Sequence, residues 1–272
     1  MDAEISAVSL HELSRTLLPQ PQIIDVRGED AFARDRRMIP GAVRRSTDIA
    51  QWQSALEPWR AVVVYCDHGQ EASRNAATTM RERGYDARHL AGGFAAWAGE
   101  GLPLVPFSPP TRWVTRERPK IDRIACPWLI RRFIDPAAEF FYVPARDVLQ
   151  FAETRAATPY DVPDVAYSHD GRACSFDAFI RRHALRDDAL DMLATIVRGA
   201  DTAALDLAPQ ASGLLAVSLG LSQMFADDQA MLRFGMLVYD ALYAWCREAA
   251  REAHGWNPAA LRQAMASSAR EA

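Results

Sequence analysis

The sequence predicts an α/β domain with a central parallel sheet, followed by a mostly α-helical second domain. Three observations carry this. Short β-branched runs alternate with helical segments over the first hundred residues, which is the pattern of a parallel sheet covered on both faces. Leu102 to Pro110 then holds Pro103, Pro106, Pro109 and Pro110, as an extended linker would. From Ser175 onward helical periodicity dominates. The expected divisions are residues 1–106, a proline-rich linker at 107–111, and residues 112–272. A chain of 272 residues is long enough for each part to bury its own core.

Taken in order, Ser9-Leu10-His11-Glu12 reads as a capping box opening a helix to about Leu18. Gln22 to Arg27 reads as a buried strand with a charged end, where Asp25 and Arg27 suit a structural ion pair. Glu29 to Arg37 is expected to be helical, and Ile39-Pro40-Gly41 to turn into a short strand at Val43. Thr47 to Leu56 reads as another helix. Val62-Val63-Val64-Tyr65 is a buried strand, Ala72 to Arg83 a helix stopped by Gly84, and Asp86 to Leu90 a further strand. Gly92 to Trp97 opens a last helix that ends near Gly99 to Gly101. In the second part Glu139 to Val143 is a strand. Helices are expected at 176–184, 188–197, 209–225, 227 to about 252, and 258–268. Asp227 and Asp228 favour the start of the longest of these. Met231, Phe234, Leu237, Val238, Ala241, Leu242 and Trp245 follow helical spacing as its core face.

The centre of the functional reading is Cys66, placed between the strand Val62–Tyr65 and the helix from Ala72. The loop Asp67, His68, Gly69, Gln70, Glu71, Ala72, Ser73 would direct amides at the sulfur, and the helix start adds partial positive charge. Such surroundings favour the thiolate, the nucleophilic form. His68 suits either proton transfer or a plain solvent-exposed role.

Composition sets the bounds. The net charge of −4 gives no general reason to expect nucleic acid as a partner. The stretch Arg112 to Arg132 carries a local excess of +5, leaving −9 for the remainder, and no helix-turn-helix or zinc-finger pattern accompanies it. An oxyanion pocket using some of Arg112, Arg116, Arg118, Lys120 and Arg123, or a solvated helix face, uses the same charges. The most apolar window, 211–225, is shorter than the roughly 20 residues a membrane span needs and is broken by polar residues. Nothing at the N-terminus reads as a signal peptide. The four cysteines show no paired spacing, so a cytoplasmic location and no membrane association are expected.

The strings Ile24-Asp25-Val26-Arg27, Ile39-Pro40-Gly41-Ala42, Tyr65-Cys66 with its loop, and Leu90-Ala91-Gly92-Gly93-Phe94-Ala95-Ala96-Trp97 resemble a single rhodanese domain. The resemblance implies that Cys66 carries sulfur as a persulfide, taken from a small sulfur donor and given to a thiol acceptor, with no cofactor required. A rhodanese-like phosphatase or arsenate reductase would want an arginine six positions after the cysteine; Ala72 stands there. Many active rhodaneses place arginine five positions after it, where this chain has Glu71. An inward, unpaired carboxylate about 5 Å from the sulfur would repel an anionic donor by roughly 3 kcal/mol at an effective dielectric of 20. Weak thiosulfate turnover is therefore expected.

The second part is similar to the C-terminal domain of the ChrB chromate-resistance family. Trp113 to Arg116, Trp128 to Phe133, Cys174 to Asp177, Val197 to Thr202 and Tyr239 to Cys246 carry that likeness. It implies a link to chromate or another tetrahedral oxyanion. The leading function is a sulfurtransferase using Cys66 in that context. The alternative is a non-enzymatic oxyanion or redox sensor regulating a chromate-resistance system. Candidate site residues here are Arg116, Lys120, Arg123, Cys126, His169 and Asp201. His169, Asp170, Cys174, Cys126, Glu139, Asp161 and Asp201 include types that ligate transition metals, so a metal ion is a candidate cofactor, although their spacing matches no metal motif. Cys126 and Cys246 read as core residues, and Asp122 with Arg123 as a local ion pair.

Overall fold

The computed structural model describes residues 3–16 and 19–248. The N-terminal part is built from β1 (Glu4–Ile5), α1 (Ala7–Thr16), β2 (Gln22–Asp25), α2 (Glu29–Arg34), β3 (Arg37–Met38), β4 (Ala42–Arg44), β5 (Val62–Tyr65), α3 (Glu71–Glu82), β6 (Ala87–Leu90), α4 (Gly93–Gly99) and β7 (Val105–Pro106). Five strands form one parallel sheet in the order β1-β6-β5-β2-β4. β5 is central and fully buried, because α-helical layers cover both faces and its four residues need no polar side. Ile24, Val62, Val64 and Met80 pack on one face, and Ile23, Val63, Tyr65, Leu90 and Trp97 on the other. Alternate residues of β5 thus serve opposite layers.

Three local expectations are corrected here. The first helix begins at Ala7, with Ser6 Oγ accepting the Ser9 amide at 3.1 Å; Ser6 therefore occupies the capping position assigned to Ser9. Its expected end near Leu18 lies outside the described residues. The segment Thr47 to Leu56 makes two short 3₁₀ turns, Ile49–Gln51 and Gln53–Ala55, rather than a helix. Asp48 caps the first by accepting the Ala50 amide, and Trp52 buries its ring in the core while its indole donates to Ser46 O at 3.0 Å. That anchor fixes the chain in a shape no regular helix provides. The helix expected to reach Arg37 stops at Arg34, and Arg37–Met38 pairs antiparallel with Val105–Pro106, so part of the proline-rich stretch is docked as a strand.

The C-terminal region is mostly helical but starts with a small parallel sheet. It comprises β8 (Arg112–Arg116), α5 (Asp122–Leu129), a π-helical turn Ile130–Ile134, β9 (Glu139–Val143), α6 (Val148–Arg155), β10 (Thr158–Pro159), α7 (Ser175–Arg182), α8 (Asp188–Asp201), α9 (Pro209–Met224) and α10 (Asp228–Arg247). The strand order is β10-β8-β9. Trp128, Phe176, Phe179, Leu193, Met236 and Tyr239 belong to its main core. The buried face of α10 is Met231, Leu232, Gly235, Met236, Tyr239, Asp240, Tyr243 and Cys246, one position round from the expected stripe; Phe234 and Leu237 are exposed. Apolar residues occupy most of the circumference, and the polar partners of Asp240 select the face. The helix expected at 258–268 lies outside the described residues. Among the described residues no helix is long and apolar enough to cross a membrane.

The two regions meet at a buried ion cluster. Arg132 donates to Asp240 through Nε (2.9 Å) and Nη2 (2.9 Å), and also reaches Glu57 of the N-terminal part at 2.5 Å. Asp240 further accepts the indoles of Trp128 (2.8 Å) and Trp59 (3.2 Å). Burial pushes the Asp240 carboxyl upward, but the Arg132 hydrogen bonds outweigh this and hold it below the usual carboxylate range.

Candidate functional site

Cys66 sits at the carboxyl end of the central strand β5, the position where parallel sheets present ligands. It is 8% exposed. Two glycines shape its loop. A Cβ on Gly93 (φ +61°) would lie 2.3 Å from Cys66 O and 2.4 Å from Gly69 N; one on Gly69 (φ +65°) would meet Leu90 O at 2.6 Å. Only glycine allows the start of α4 to press so closely against the loop. The contact lets Phe94 N donate to Cys66 O and Ala95 N to Asp67 O, each at 2.9 Å. Loop carbonyls are thus turned into α4. Among the described residues, none of the amides of Asp67 to Gln70 donates to a backbone carbonyl.

Ser73 is buried, and its Oγ lies 3.2 Å from Cys66 Sγ and 3.3 Å from Gln70 O. The hydroxyl can donate to the carbonyl while accepting from a thiol, or rotate to donate to a thiolate. Asp67 pairs with Arg34 at 3.0 Å. His68 is exposed, with Nε2 3.5 Å from Asp67 Oδ2. Ala72 packs on the core and Gln70 is exposed. Glu71 is exposed as the first residue of α3, so the inward carboxylate considered from the sequence is not found. There it favours the helix dipole by about 0.3–1 kcal/mol. Asp25 and Arg27 form a fully buried pair at 2.7 Å; Tyr65 donates to Asp25, and Arg27 lies over the Phe94 ring. Both serve the framework.

A second polar centre is assembled in the C-terminal region. His169 Nε2 lies 3.1 Å from Asp201, 3.3 Å from Asp161 and 3.5 Å from Asp122. Asp122 opens α5, Asp201 ends α8, and Asp161 follows β10 with φ +50°. Ile121, just before Asp122, has φ +39°, an unfavourable conformation for a β-branched residue. Ser218 Oγ, accepting its amide, and Tyr239 OH, donating to its carbonyl, each at 3.0 Å, hold it there. Asp161 is satisfied by Arg116 (3.1 Å), Arg123 (3.3 Å) and the Ser175 hydroxyl (2.9 Å). Asp122 is fully buried; its Oδ2 accepts the Ser175 amide at 2.6 Å and its Oδ1 has no hydrogen-bond partner.

These placements perturb titration in opposite directions. Burial, then the carboxylates of Asp201 and Asp161, pushes the Asp122 carboxyl well up. Burial and Asp161 raise Asp201. Asp161 is also pushed up by burial, but its bonds to His169 and Ser175, with Arg116 and Arg123 alongside, hold it below the usual range. The hydrogen bond with Asp161, helped by the other two carboxylates, raises the His169 imidazolium to about 9.

Of the residues singled out from sequence, the fold brings Arg116, Arg123, Asp161, His169 and Asp201 together, and adds Asp122. The expected Asp122–Arg123 pair is corrected: Arg123 turns to Asp161, and Asp122 faces Ser175 and His169. Lys120 is half-buried beside the turn into α5, its carbonyl accepting the Arg123 amide. Cys126 is fully buried one turn along α5, and burial followed by the Asp122 charge pushes its thiol well up. Cys174 is raised by the same two causes. The remaining basic residues also have internal partners. Arg112 pairs with Glu139, Arg118 binds Asp228 and the Ser222 and Phe225 carbonyls, and Arg131 binds Ala138 O. Five of the seven basic residues of the stretch, Arg112, Arg116, Arg118, Arg123 and Arg132, thus face carboxylates within the fold.

The architecture is that of a rhodanese-like domain, matched over residues 7–100, fused to a ChrB C-terminal domain, matched over residues 113–246. The chain belongs to the ChrB family. It is 34% identical over 229 residues to Protein ChrB of Cupriavidus metallidurans, an alignment covering 73% of this chain and 68% of that protein. Solved structures similar to the N-terminal part include a rhodanese-related protein from Thermoplasma volcanium (23% identity, 38% of this chain and 98% of that one, TM-score 0.34). A rhodanese-like domain protein from Staphylococcus aureus shows 25% identity over 39% of this chain and all of that one, TM-score 0.34. A thiosulfate sulfurtransferase from Pseudomonas aeruginosa shows 22% identity over 39% of this chain and 20% of that one, TM-score 0.34.

Proposed function

We propose that the protein is a sulfurtransferase in which Cys66 forms a persulfide, acting in a chromate-resistance setting. The supporting observation is the loop itself: carbonyls of Cys66 and Asp67 are taken up by α4, the amides of Asp67 to Gln70 donate to no backbone carbonyl among the described residues, and Ser73 near the start of α3 brings its hydroxyl to 3.2 Å from the sulfur. The Cys66 thiolate attacks the outer sulfur of a donor such as thiosulfate. The new S–S bond forms as the donor's S–S bond breaks, and sulfite leaves with the bonding pair. An acceptor thiolate then attacks the outer sulfur of the persulfide and Cys66 departs as thiolate, so no external oxidant or reductant is consumed. Ser73 would donate to the sulfur whenever it is anionic and release it to Gln70 O when it is not.

Glu71 points outward, so it weakens capture of an anionic donor without abolishing it. A sensor that binds DNA through the basic stretch is less well supported, because those arginines are occupied by internal carboxylates and carbonyls. The test is steady-state sulfur transfer from thiosulfate to dithiothreitol, read as sulfide release. Turnover that depends on Cys66 supports the reading. Equal rates for the wild type and Cys66→Ser would end it.

A further inference from the structure

The geometry points to a divalent transition-metal site in the C-terminal region, ligated by Asp122, His169 and Asp201, independent of the cysteine loop. One donor atom from each of these residues lies within 4.8 Å of the others. The arrangement is poorly served by protons alone. His169 Nε2 carries at most one hydrogen, yet it faces three carboxylates at 3.1, 3.3 and 3.5 Å. Asp161 has its own partners in Arg116, Arg123 and Ser175. Asp122 and Asp201 are left to share His169; the Asp122 carboxylate faces it through Oδ2 at 3.5 Å, and its Oδ1 is buried with no hydrogen-bond partner. An orphaned, fully buried carboxylate oxygen costs about 1–3 kcal/mol or more, and a cation removes that cost.

The distances fit this use. Metal–nitrogen and metal–oxygen bonds of about 2.0–2.2 Å, at angles between octahedral and tetrahedral, put neighbouring ligand atoms roughly 2.8–3.6 Å apart. The His169–Asp201 and His169–Asp122 separations fall in that range, and the second is longer than a normal hydrogen bond. The ligands are held from behind. The Ser175 amide fixes Asp122 and a backbone hydrogen bond from Asp122 supports Asp201, while Asp161, held by Arg116, Arg123 and Ser175, borders the same His169 nitrogen. The cluster is reached by solvent at His169, whose side chain is 41% exposed, against 1% for Asp122.

Two carboxylates with one imidazole select the metal class. Calcium wants six to eight oxygens, which three side chains do not offer. Copper(I) wants sulfur, and no thiol is in the cluster. Zinc, iron(II), cobalt(II) and manganese(II) match, with one or more positions left for solvent or a ligand.

The test uses untagged full-length protein stripped with a chelator, titrated with Co²⁺ followed by visible absorption and with Zn²⁺ by calorimetry. One equivalent should bind, with the d–d bands of nitrogen and oxygen ligation. His169→Gln and Asp201→Asn should each weaken it at least about tenfold, and Cys66→Ser should leave it unchanged. Zn²⁺ should raise the melting temperature of the wild type and not that of the two variants, which also shows that the variants fold. No stoichiometric binding, undiminished affinity in both variants, or strong thiolate charge-transfer bands lost in Cys66→Ser would overturn the proposal.

Discussion

The cysteine loop takes most of its parts from the consecutive residues Cys66 to Ser73, with Gly93 at the start of α4 packed against them, whereas the aspartate–histidine centre draws on positions 122, 161, 169 and 201, carried by separate segments. In the first, the backbone sets the shape: a loop, one helix start and two glycines, with side chains contributing little beyond the sulfur and one hydroxyl. In the second, side chains make up the centre, and the backbone takes positive φ at Ile121 and Asp161 to deliver them. A contiguous site can be read along the chain because strand, loop and helix fix its geometry locally. A dispersed site exists only after the core between its segments has formed.

The sharpest way to break this comparison is at the sulfur. Cys66→Ser should reduce thiosulfate-dependent sulfide release by at least about a thousandfold, because a serine hydroxyl is a weak nucleophile at its free pKa. A residual rate near wild type would show that the loop's design is irrelevant to activity. Next in size is the seam between the two regions. Arg132→Ala leaves Asp240 and Glu57 buried with lost partners and should cost about 3–5 kcal/mol in chemical denaturation.

The same seam has a pH signature. The folded Asp240 carboxyl titrates below its unfolded value, so its stabilisation is complete above about pH 4. It is lost as pH falls through the folded value. Melting temperatures measured from neutral to acid pH should therefore fall less steeply in Asp240→Asn than in the wild type. Parallel curves would show that Asp240 carries no pH-linked stability.

Smaller effects sharpen the contrast. Gly93→Ala, strained by its positive φ and its contact with Cys66 O, should lower stability by about 1–3 kcal/mol and depress transfer more than binding of distant ligands. Differential scanning calorimetry and the sulfide assay check both parts. Glu71→Arg should raise kcat/KM for thiosulfate about fivefold, the scale of an exposed charge reversal. An unchanged or lower value with the fold intact would remove Glu71 as a determinant of donor choice.

Legibility followed the same division. The strand–cysteine–helix order and the strand Glu139–Val143 stand where the local pattern puts them, since β-branched runs, glycine stops and helix starts are short-range signals. The buried face of α10 keeps Met231 but otherwise lies one position round from the expected stripe, because Leu232, Met236, Tyr239 and Tyr243 share its helical period. Only the demand of Arg132 and Trp128 for Asp240 chooses between them. β8 was hidden by its flanking arginines, which read as a charged face although Trp113, Val114 and Thr115 are buried. Asp122 looked like half of a local pair with Arg123, and nothing in its neighbours announces that His169 and Asp201 approach it.

The central claim is that Cys66 becomes a persulfide, and intact-protein and peptide mass spectrometry after incubation with thiosulfate tests it most directly. The account predicts one added sulfur atom on the peptide containing Cys66, removed by excess thiol and absent from Cys66→Ser. Folded wild-type protein with Cys66 unmodified, or an adduct that persists in Cys66→Ser, would contradict it.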